Sequence, residues 1–426
     1  MNFAIIWGLF LLLSLTAIPL AFSIGLTPLL YFLGTGKYPF TVIFQSIVSV
    51  NESFELLALP FFILAGELMS TGGIGKRITN FAFALVGWIP GGLAAMTVVA
   101  CMIFGGVSGS AVADAAAVGS VMIPAMVKKG YGKEYAAAVV ASAGTIGVII
   151  PPSIPMVLYA FVTGVSLGDL FIAGIIPGIL VGICLMICAL LIALKRGYPT
   201  EPMLSFRELI RSLVDCIPAL LTPLIILGSI FTGFVTPTEA AVIAVAYAIL
   251  VGRFVYGDLA WADIPKALLK TGQMTAIVML IIGAGAALSW TLTVENFPTV
   301  FSHWIVSVTH SRTMILLLVN IILLLLGGPM HLAPTLLLTT PILLPLVKQF
   351  GVDPLHFGLI VVSNLAIGIS FPLLGNTVYV ASKLAKVSVE HTSVALIPFI
   401  LINIVAVLLI TYYPPFSMWL PSLIRR

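Results

Sequence analysis

The sequence is short of charge: Asp, Glu, Lys and Arg make up 8% of its 426 residues. A soluble globular chain carries roughly a quarter of its residues as these four types, so this one has too few to cover a surface facing water. The formal net charge of +4 is spread thinly over loops, which leaves no basic patch for nucleic acid. Cysteine is scarce too. Cys101, Cys184, Cys188 and Cys216 lie in or beside apolar segments, with no CxxC pair and no nearby histidine to complete a metal set; they read as small buried hydrophobes. No G-x-x-x-x-G-K-[ST] phosphate loop occurs, so nothing points to an ATPase.

What the chain has instead is apolar length. Hydrophobic residues make up 61% of it and the mean hydropathy is +1.21, which marks an integral membrane protein. The apolar runs are continuous and rich in Leu, Ile, Val and Gly, so an all-α polytopic fold is expected rather than a barrel. The run from Phe3 to Leu33 lacks a basic start and outlasts a signal-peptide core; it is expected to be the first membrane element.

The stretch from Phe104 to Tyr131 organises the rest. Two apolar runs, Met96 to Phe104 and Ala111 to Val127, meet at a Gly/Ser-rich break, each too short for a bilayer of ~30 Å. They predict a re-entrant helical hairpin. Shifting the sequence by 221 residues places Gly106 on Gly327, Pro124 on Pro345, Gly130 on Gly351, Gly147 on Gly368 and Pro151 on Pro372, without gaps. Gly and Pro have backbone roles that other residues replace poorly, so the coincidences predict an internal repeat. Each hairpin is followed by an apolar run that proline interrupts, at Pro151-Pro152-Ser153-Ile154-Pro155 and within Leu359 to Val380. Such discontinuous helices at matching places are a pointer to a transporter's binding site.

The expected organisation is scaffold helices and an interfacial arm (Lys37 to Glu55) in 1–90, hairpin and broken helix in 91–165, scaffold helices and a loop in 166–310, the second hairpin and broken helix in 311–386, and a last span and tail in 387–426. Lys195, Arg196, Arg207 and Arg211 in one loop and Arg253, Lys266 and Lys270 in another place both loops in the cytoplasm by the positive-inside rule. The residues alone leave the relative orientation of the repeats open.

Where half-helices meet, free carbonyls suit a monovalent cation and free N–H groups suit a carboxylate. Too few acids are present for a calcium cage. Candidate sodium ligands are Ser108, Gly109, Ser110, Gly144, Thr145 and Gly147 in the first repeat and Gly327, Gly328, Met330, Gly368 and Ser370 in the second. Candidate substrate contacts are Ser110, Pro151, Pro152, Ser153, His331, Asn364 and Pro372. Small residues at the same positions would also allow close helix packing. Asp114, an acid at membrane depth, is either ion-linked or cap-like at the start of the return arm. Glu239, in Thr236-Pro237-Thr238-Glu239, has the spacing of a capping box. Gly106-Val-Ser-Gly109 also matches a short intramembrane serine hydrolase pattern. All five histidines lie in the other half, however, which leaves Ser108 without an evident base.

At these residues the chain resembles the DctM-like large membrane subunit of tripartite ATP-independent periplasmic (TRAP) transporters. The resemblance runs through Leu57-Ala-Leu-Pro-Phe-Phe-Ile-Leu-Ala-Gly-Glu-Leu-Met69, the Ser-Gly-Ser hairpin to Tyr131, Ile150-Pro-Pro-Ser-Ile-Pro155, Leu170-Phe-Ile-Ala-Gly-Ile-Ile-Pro-Gly178, Thr236-Pro-Thr-Glu-Ala-Ala241 and Asp353-Pro-Leu-His-Phe-Gly358. It implies two inverted repeats and a sodium-driven elevator in a bacterial inner membrane, with no cofactor besides sodium. It also implies two partners: a small four-helix DctQ-like subunit, and a periplasmic DctP-like binding protein that delivers an organic acid such as a dicarboxylate, sialic acid or sugar acid. A stand-alone divalent-anion:sodium symporter and a passive channel are the alternatives. The second repeat departs from the family pattern: His331 stands where an acid is usual, and Ser370-Phe371-Pro372 where Thr-Pro-Pro is usual.

Overall fold

Each helix around the first break reappears 221 residues later. In the computed structural model, which describes residues 2–16, 18–200 and 205–424, hairpin 1 consists of helices Gly92–Ser108 and Ala111–Lys128, and hairpin 2 of Arg312–Gly327 and Leu332–Gln349. Broken helix 1 is Lys133–Gly144, a short 3₁₀ turn and Ile154–Thr163; broken helix 2 is Pro354–Ile369 and Asn376–Ala385. Adding 221 to Ala111 and Lys128 gives 332 and 349, the observed ends of the second return arm. The long spans Leu167–Arg196 and Val389–Tyr412 continue the correspondence. The described residues contain no strand.

The remaining helices form the scaffold. The apolar run 3–33 is two helices packed on each other, Asn2–Leu15 and Leu20–Thr35, rather than one element. Ala17 between them lies outside the described residues. Pro19 at the second helix's N-cap explains the break, because a proline disfavours a helical residue before it. The arm at Lys37–Glu55 contains helix Thr41–Asn51, packed on Asp263–Val294. It leads at a 60° bend into helix Ala58–Thr71. Helices Phe206–Phe231 and Pro237–Leu250 follow the polar loop, of which 201–204 lie outside the described residues. Thr236 and Glu239 form the expected reciprocal cap: Thr236 N–H and Oγ1–H donate to the carboxylate at 2.7 and 2.8 Å, and Glu239 N–H donates to Thr236 Oγ1 at 3.3 Å. Ser205 and Glu208 cap the preceding helix in the same way.

Contacts are exchanged between the halves. The return arm of hairpin 1 packs on the second piece of broken helix 2, and the return arm of hairpin 2 packs on the second piece of broken helix 1. In the scaffold, Leu20–Thr35 packs on Asp263–Val294 while Pro237–Leu250 packs on Ala58–Thr71. A two-fold relation between repeats produces such reciprocal pairs. Between the hairpins lie four helices long and apolar enough to cross a membrane, Leu167–Arg196, Phe206–Phe231, Pro237–Leu250 with its π-helical extension, and Asp263–Val294, and the two pieces of broken helix 1 taken together make a fifth crossing. Helix Phe297–Val308, at 12 residues, is too short to add a sixth. Five is odd, so the hairpins enter from opposite faces and the repeats are inverted.

The base of hairpin 1 lies on the face of the basic loops. Tyr131 stacks on Tyr198 with ring centroids 4.2 Å apart. Arg196 sits over the Tyr135 ring at 5.4 Å, and Tyr135 O–H donates to the Ala189 carbonyl at 2.7 Å. Lys128, Lys129 and Lys133 therefore share a face with Lys195 and Arg196. Cys101 and Cys216 are buried, and Cys184 and Cys188 half-buried, as free thiols.

Candidate functional site

Hairpin 1 turns at Gly109, whose φ of +63° is a left-handed conformation that glycine adopts without a Cβ penalty. A Cβ there would also stand 2.7 Å from the Pro152 carbonyl oxygen, so the tip lies directly on the break of broken helix 1. Ile154 N–H reaches the Gly109 carbonyl at 3.5 Å. Ser110, the N-cap of the return arm, accepts from Ala113 N–H at 3.4 Å. Ser153 caps the resumed helix by accepting from Met156 N–H at 3.4 Å, and its hydroxyl donates across the break to the Val148 carbonyl at 2.5 Å.

Asp114 is fully buried. Its Oδ1 accepts from Ser108 Oγ, which itself accepts from Ser110 N–H at 3.2 Å. Its Oδ2 has no hydrogen-bond partner among the described residues. The carboxylate lies against Gly147, in space that a Cβ on that residue would need, and a Cβ on Gly105 would stand 2.7 Å from Gly147 Cα. Small residues thus let a helix of the hairpin touch the broken helix backbone to backbone, with the carboxylate in the seam. Among the described residues no histidine is a hydrogen-bond partner of Ser108, whose hydroxyl donates to Asp114 and to the Ser110 carbonyl.

The second half uses the same approach with different chemistry. A Cβ on Gly368 would overlap the Gly327 carbonyl and stand 2.8 Å from Gly327 Cα. The Phe371 ring lies against Gly328, 3.0 Å from where a Cβ would be. Ser370 Oγ donates to the Ile367 carbonyl at 3.0 Å, and Thr377 Oγ1 donates across the break to the Ile369 carbonyl at 3.1 Å. Neither His331 nor Gly375, the N-caps of the two helices that start here, makes a side-chain cap bond.

The two breaks open onto one cavity of about 310 Å³. Hairpin 1 contributes Gly109 and Ser110, hairpin 2 contributes Gly327 to Pro334, and broken helix 2 contributes Gly368 and Asn376. Scaffold residues close it, Ile63 from one half and Met274 to Ile281 from the other. Of the residues expected from sequence, Gly109, Ser110, Gly327, Gly328, Met330, His331 and Gly368 line this space. Ser108, Gly144 and Gly147 lie behind the hairpin 1 tip, in its seam with the broken helix.

Other expected residues face elsewhere. Pro151, Pro152, Ser153, Ser370 and Pro372 do not line the cavity. Thr145 donates to the Ser142 carbonyl at 2.7 Å and borders a narrow void with Ser363 and Asn403. Asn364 is turned inward: its Nδ2 donates to Asn320 Oδ1 at 2.8 Å and to the Ile360 carbonyl at 2.7 Å, and Thr411 Oγ1 donates to the same Asn320 oxygen at 3.2 Å. The expectation placed Asn364 beside the break, whereas the helix's rotation points it at hairpin 2's first arm and the last span. Asn376 was missed. It lines the cavity and is 3.1 Å from the His331 ring, and its position just after the Phe371–Gly375 break was the available signal.

Inverted repeats, a pair of re-entrant hairpins and a shared cavity at the breaks define a polytopic membrane transport protein. The chain belongs to the DctM family: the model described as "Tripartite ATP-independent periplasmic transporter, DctM component" matches residues 7–416. It is 37% identical to the C4-dicarboxylate TRAP transporter large permease protein DctM of Rhodobacter capsulatus over the whole of both chains. It is 36% identical to the sialic acid TRAP transporter large permease protein SiaM of Vibrio cholerae, over 96% of each. The Alcanivorax borkumensis YdaH transporter has a similar fold, with a TM-score of 0.54 at 13% identity over 89% of each chain. These relatives are permeases, not enzymes.

Proposed function

We propose that this chain is the membrane permease of a sodium-coupled importer of an organic acid in a bacterial inner membrane. A periplasmic binding protein delivers the acid, and a small four-helix subunit enlarges the scaffold. The observation that carries this reading is the single cavity onto which both hairpin tips and both broken helices open, walled on its other side by scaffold helices. Rigid movement of hairpins and broken helices past that scaffold would turn the cavity from one face to the other, an elevator. The relatives named for C4-dicarboxylates and sialic acid support an anionic acid as the substrate class.

Sodium is assigned to the seams behind the tips. Ser108, Gly109, Ser110, Gly144 and Gly147 surround the first, where the Asp114 carboxylate supplies negative charge within the low-dielectric interior. Gly327, Gly328, Met330, Gly368 and Ser370 surround the second, without an acid. The substrate is assigned to the cavity itself, against Ser110 and His331.

The test is reconstitution of this chain with its small subunit in proteoliposomes, using an acid first chosen by thermal stabilisation of the cognate binding protein. Uptake is expected only with the binding protein and sodium outside. An uptake rate indifferent to sodium would sink the coupling, and uptake without the binding protein would favour a stand-alone symporter.

A further inference from the structure

We infer that the pocket where broken helix 1 begins, Leu167–Arg196 ends and Val389–Tyr412 begins binds the headgroup of an anionic phospholipid, with the acyl chains lying along the two long helices. The inference stands apart from the substrate cavity and from the transport reading. The pocket has a volume of about 720 Å³. Lys195, Arg196 and His391 form its polar wall, Tyr135 and Pro398 its apolar one, and Glu134 also lines it. Lys195 and Arg196 end a 30-residue helix. At roughly 1.5 Å per residue that helix is about 45 Å long, so it overruns the ~30 Å hydrocarbon core. Its basic end stands at headgroup depth, on the face that the positive-inside rule makes cytoplasmic.

The positive charge here is not spent inside the protein. In the scaffold, Lys37 pairs with Glu295, Arg77 with Asp258, Lys266 with Asp263 and Lys270 with Glu67. Among the described residues Lys195 and Arg196 make no ion pair. Neither do Lys133, Lys383 and Lys386, at the helix ends that adjoin the pocket, where Glu134 and Glu390 are the opposing acids. Arg196 is held in place with its charge still available. Its guanidinium lies over the Tyr135 ring at 5.4 Å, and Nη1–H donates to the Tyr198 hydroxyl at 3.3 Å. Tyr198 is itself stacked on Tyr131. The other N–H groups of the fork remain for two phosphate oxygens, and Lys195 supplies a point charge beside them. Clustered tyrosines are also what the interfacial layer of a membrane favours.

The surface below the pocket distinguishes a lipid from a soluble phosphate. Ile183, Ile187 and Leu191 on Leu167–Arg196, and Val394, Ile397 and Leu401 on the last span, are all exposed. Their three- and four-residue spacings put each set on one face of its helix. The two helices pack on each other, and Val394 lines the pocket itself, so apolar stripes lead from the basic site towards the hydrocarbon. A soluble phosphate has no use for them, whereas a phospholipid presents a phosphate and then acyl chains in that order. Basic pockets between membrane helices on the cytoplasmic side bind anionic headgroups. A zwitterionic headgroup carries its own cation beside the phosphate, so unpaired Lys and Arg select the anionic kind.

The experiment titrates the full chain, in a neutral detergent, with dioleoyl phosphatidylglycerol or dioleoyl phosphatidylcholine and counts bound lipid by native mass spectrometry. Phosphatidylglycerol is expected to bind about 25-fold tighter, roughly fivefold for each of the two fixed charges. The double variant Lys195→Gln, Arg196→Gln should erase that margin, and Arg196→Lys should keep most of it. The double variant Lys266→Gln, Lys270→Gln removes the same charge from the scaffold on the same membrane face and should match the parent. Glycerol 3-phosphate in large excess, the phosphate without acyl chains, should leave the lipid bound. Thermal melts check folding; if the pocket double variant melts early, Lys195→Gln alone is measured, with about a fivefold loss expected. Equal affinity of the parent for the two lipids, a parental margin in the pocket variants, or an equal loss in the scaffold variant overturns the site. Displacement by glycerol 3-phosphate makes it a site for soluble phosphate and overturns the lipid assignment.

Discussion

Alanine at Gly368 is expected to force hairpin 2 off broken helix 2. Its Cβ would overlap the Gly327 carbonyl and stand 2.8 Å from Gly327 Cα, and both obstacles are backbone held within hairpin 2. Overpacking costs ~1–3 kcal/mol where side chains can give way. Here none is in the way to move, so the cost is at the upper end, about 3 kcal/mol, or roughly a hundredfold in the folding equilibrium. The control is Gly272→Ala, on the exposed face of Asp263–Val294 with nothing within 4 Å of its Cβ. That change removes a helix glycine and should be neutral or stabilising by ~0.5–1 kcal/mol. The assay is thermal unfolding of the two variants and the parent in one detergent, followed by uptake at equal protein. A Gly368→Ala protein that melts with Gly272→Ala and transports at the parental rate would refute the backbone contact. The first repeat offers a replicate, because a Cβ on Gly105 would stand 2.7 Å from Gly147 Cα.

Two further outcomes follow from the geometry. Cysteines introduced at Lys129 and Lys348, both exposed at the hairpin bases, should react with a membrane-impermeant thiol reagent from opposite faces; labelling from one face would contradict five crossings. Ser108→Ala removes the hydroxyl that donates to Asp114 and should cost about 1–3 kcal/mol, the penalty of an unsatisfied buried group. Adding Asp114→Asn should recover part of that loss in a thermal melt, and strictly additive losses would show the two side chains are uncoupled.

The residues by themselves determined the membrane class, the positions of hairpins and broken helices, the 221-residue register and the Thr236–Glu239 cap. All of these depend on local features: apolar run length, Gly and Pro at fixed places, and hydrogen bonds reaching three residues along the chain. Gly109, Ser110, Gly327, Gly328 and Met330 were legible as residues at the breaks, where the cavity lies, because a helix break leaves backbone groups free wherever it lies. The rest was settled by packing. Run 3–33 had to resolve into two helices, and counting crossings required knowing which helices span. Asn364 and Asn376 lie on the two pieces of one broken helix, yet one points into the protein and the other into the cavity. Rotation of each piece about its axis decides that, and the rotation is set by side chains of hairpin 2 and the last span, distant in sequence. Two breaks in the sequence became one cavity only because the inverted halves exchange contacts, and in that cavity His331 faces Asn376.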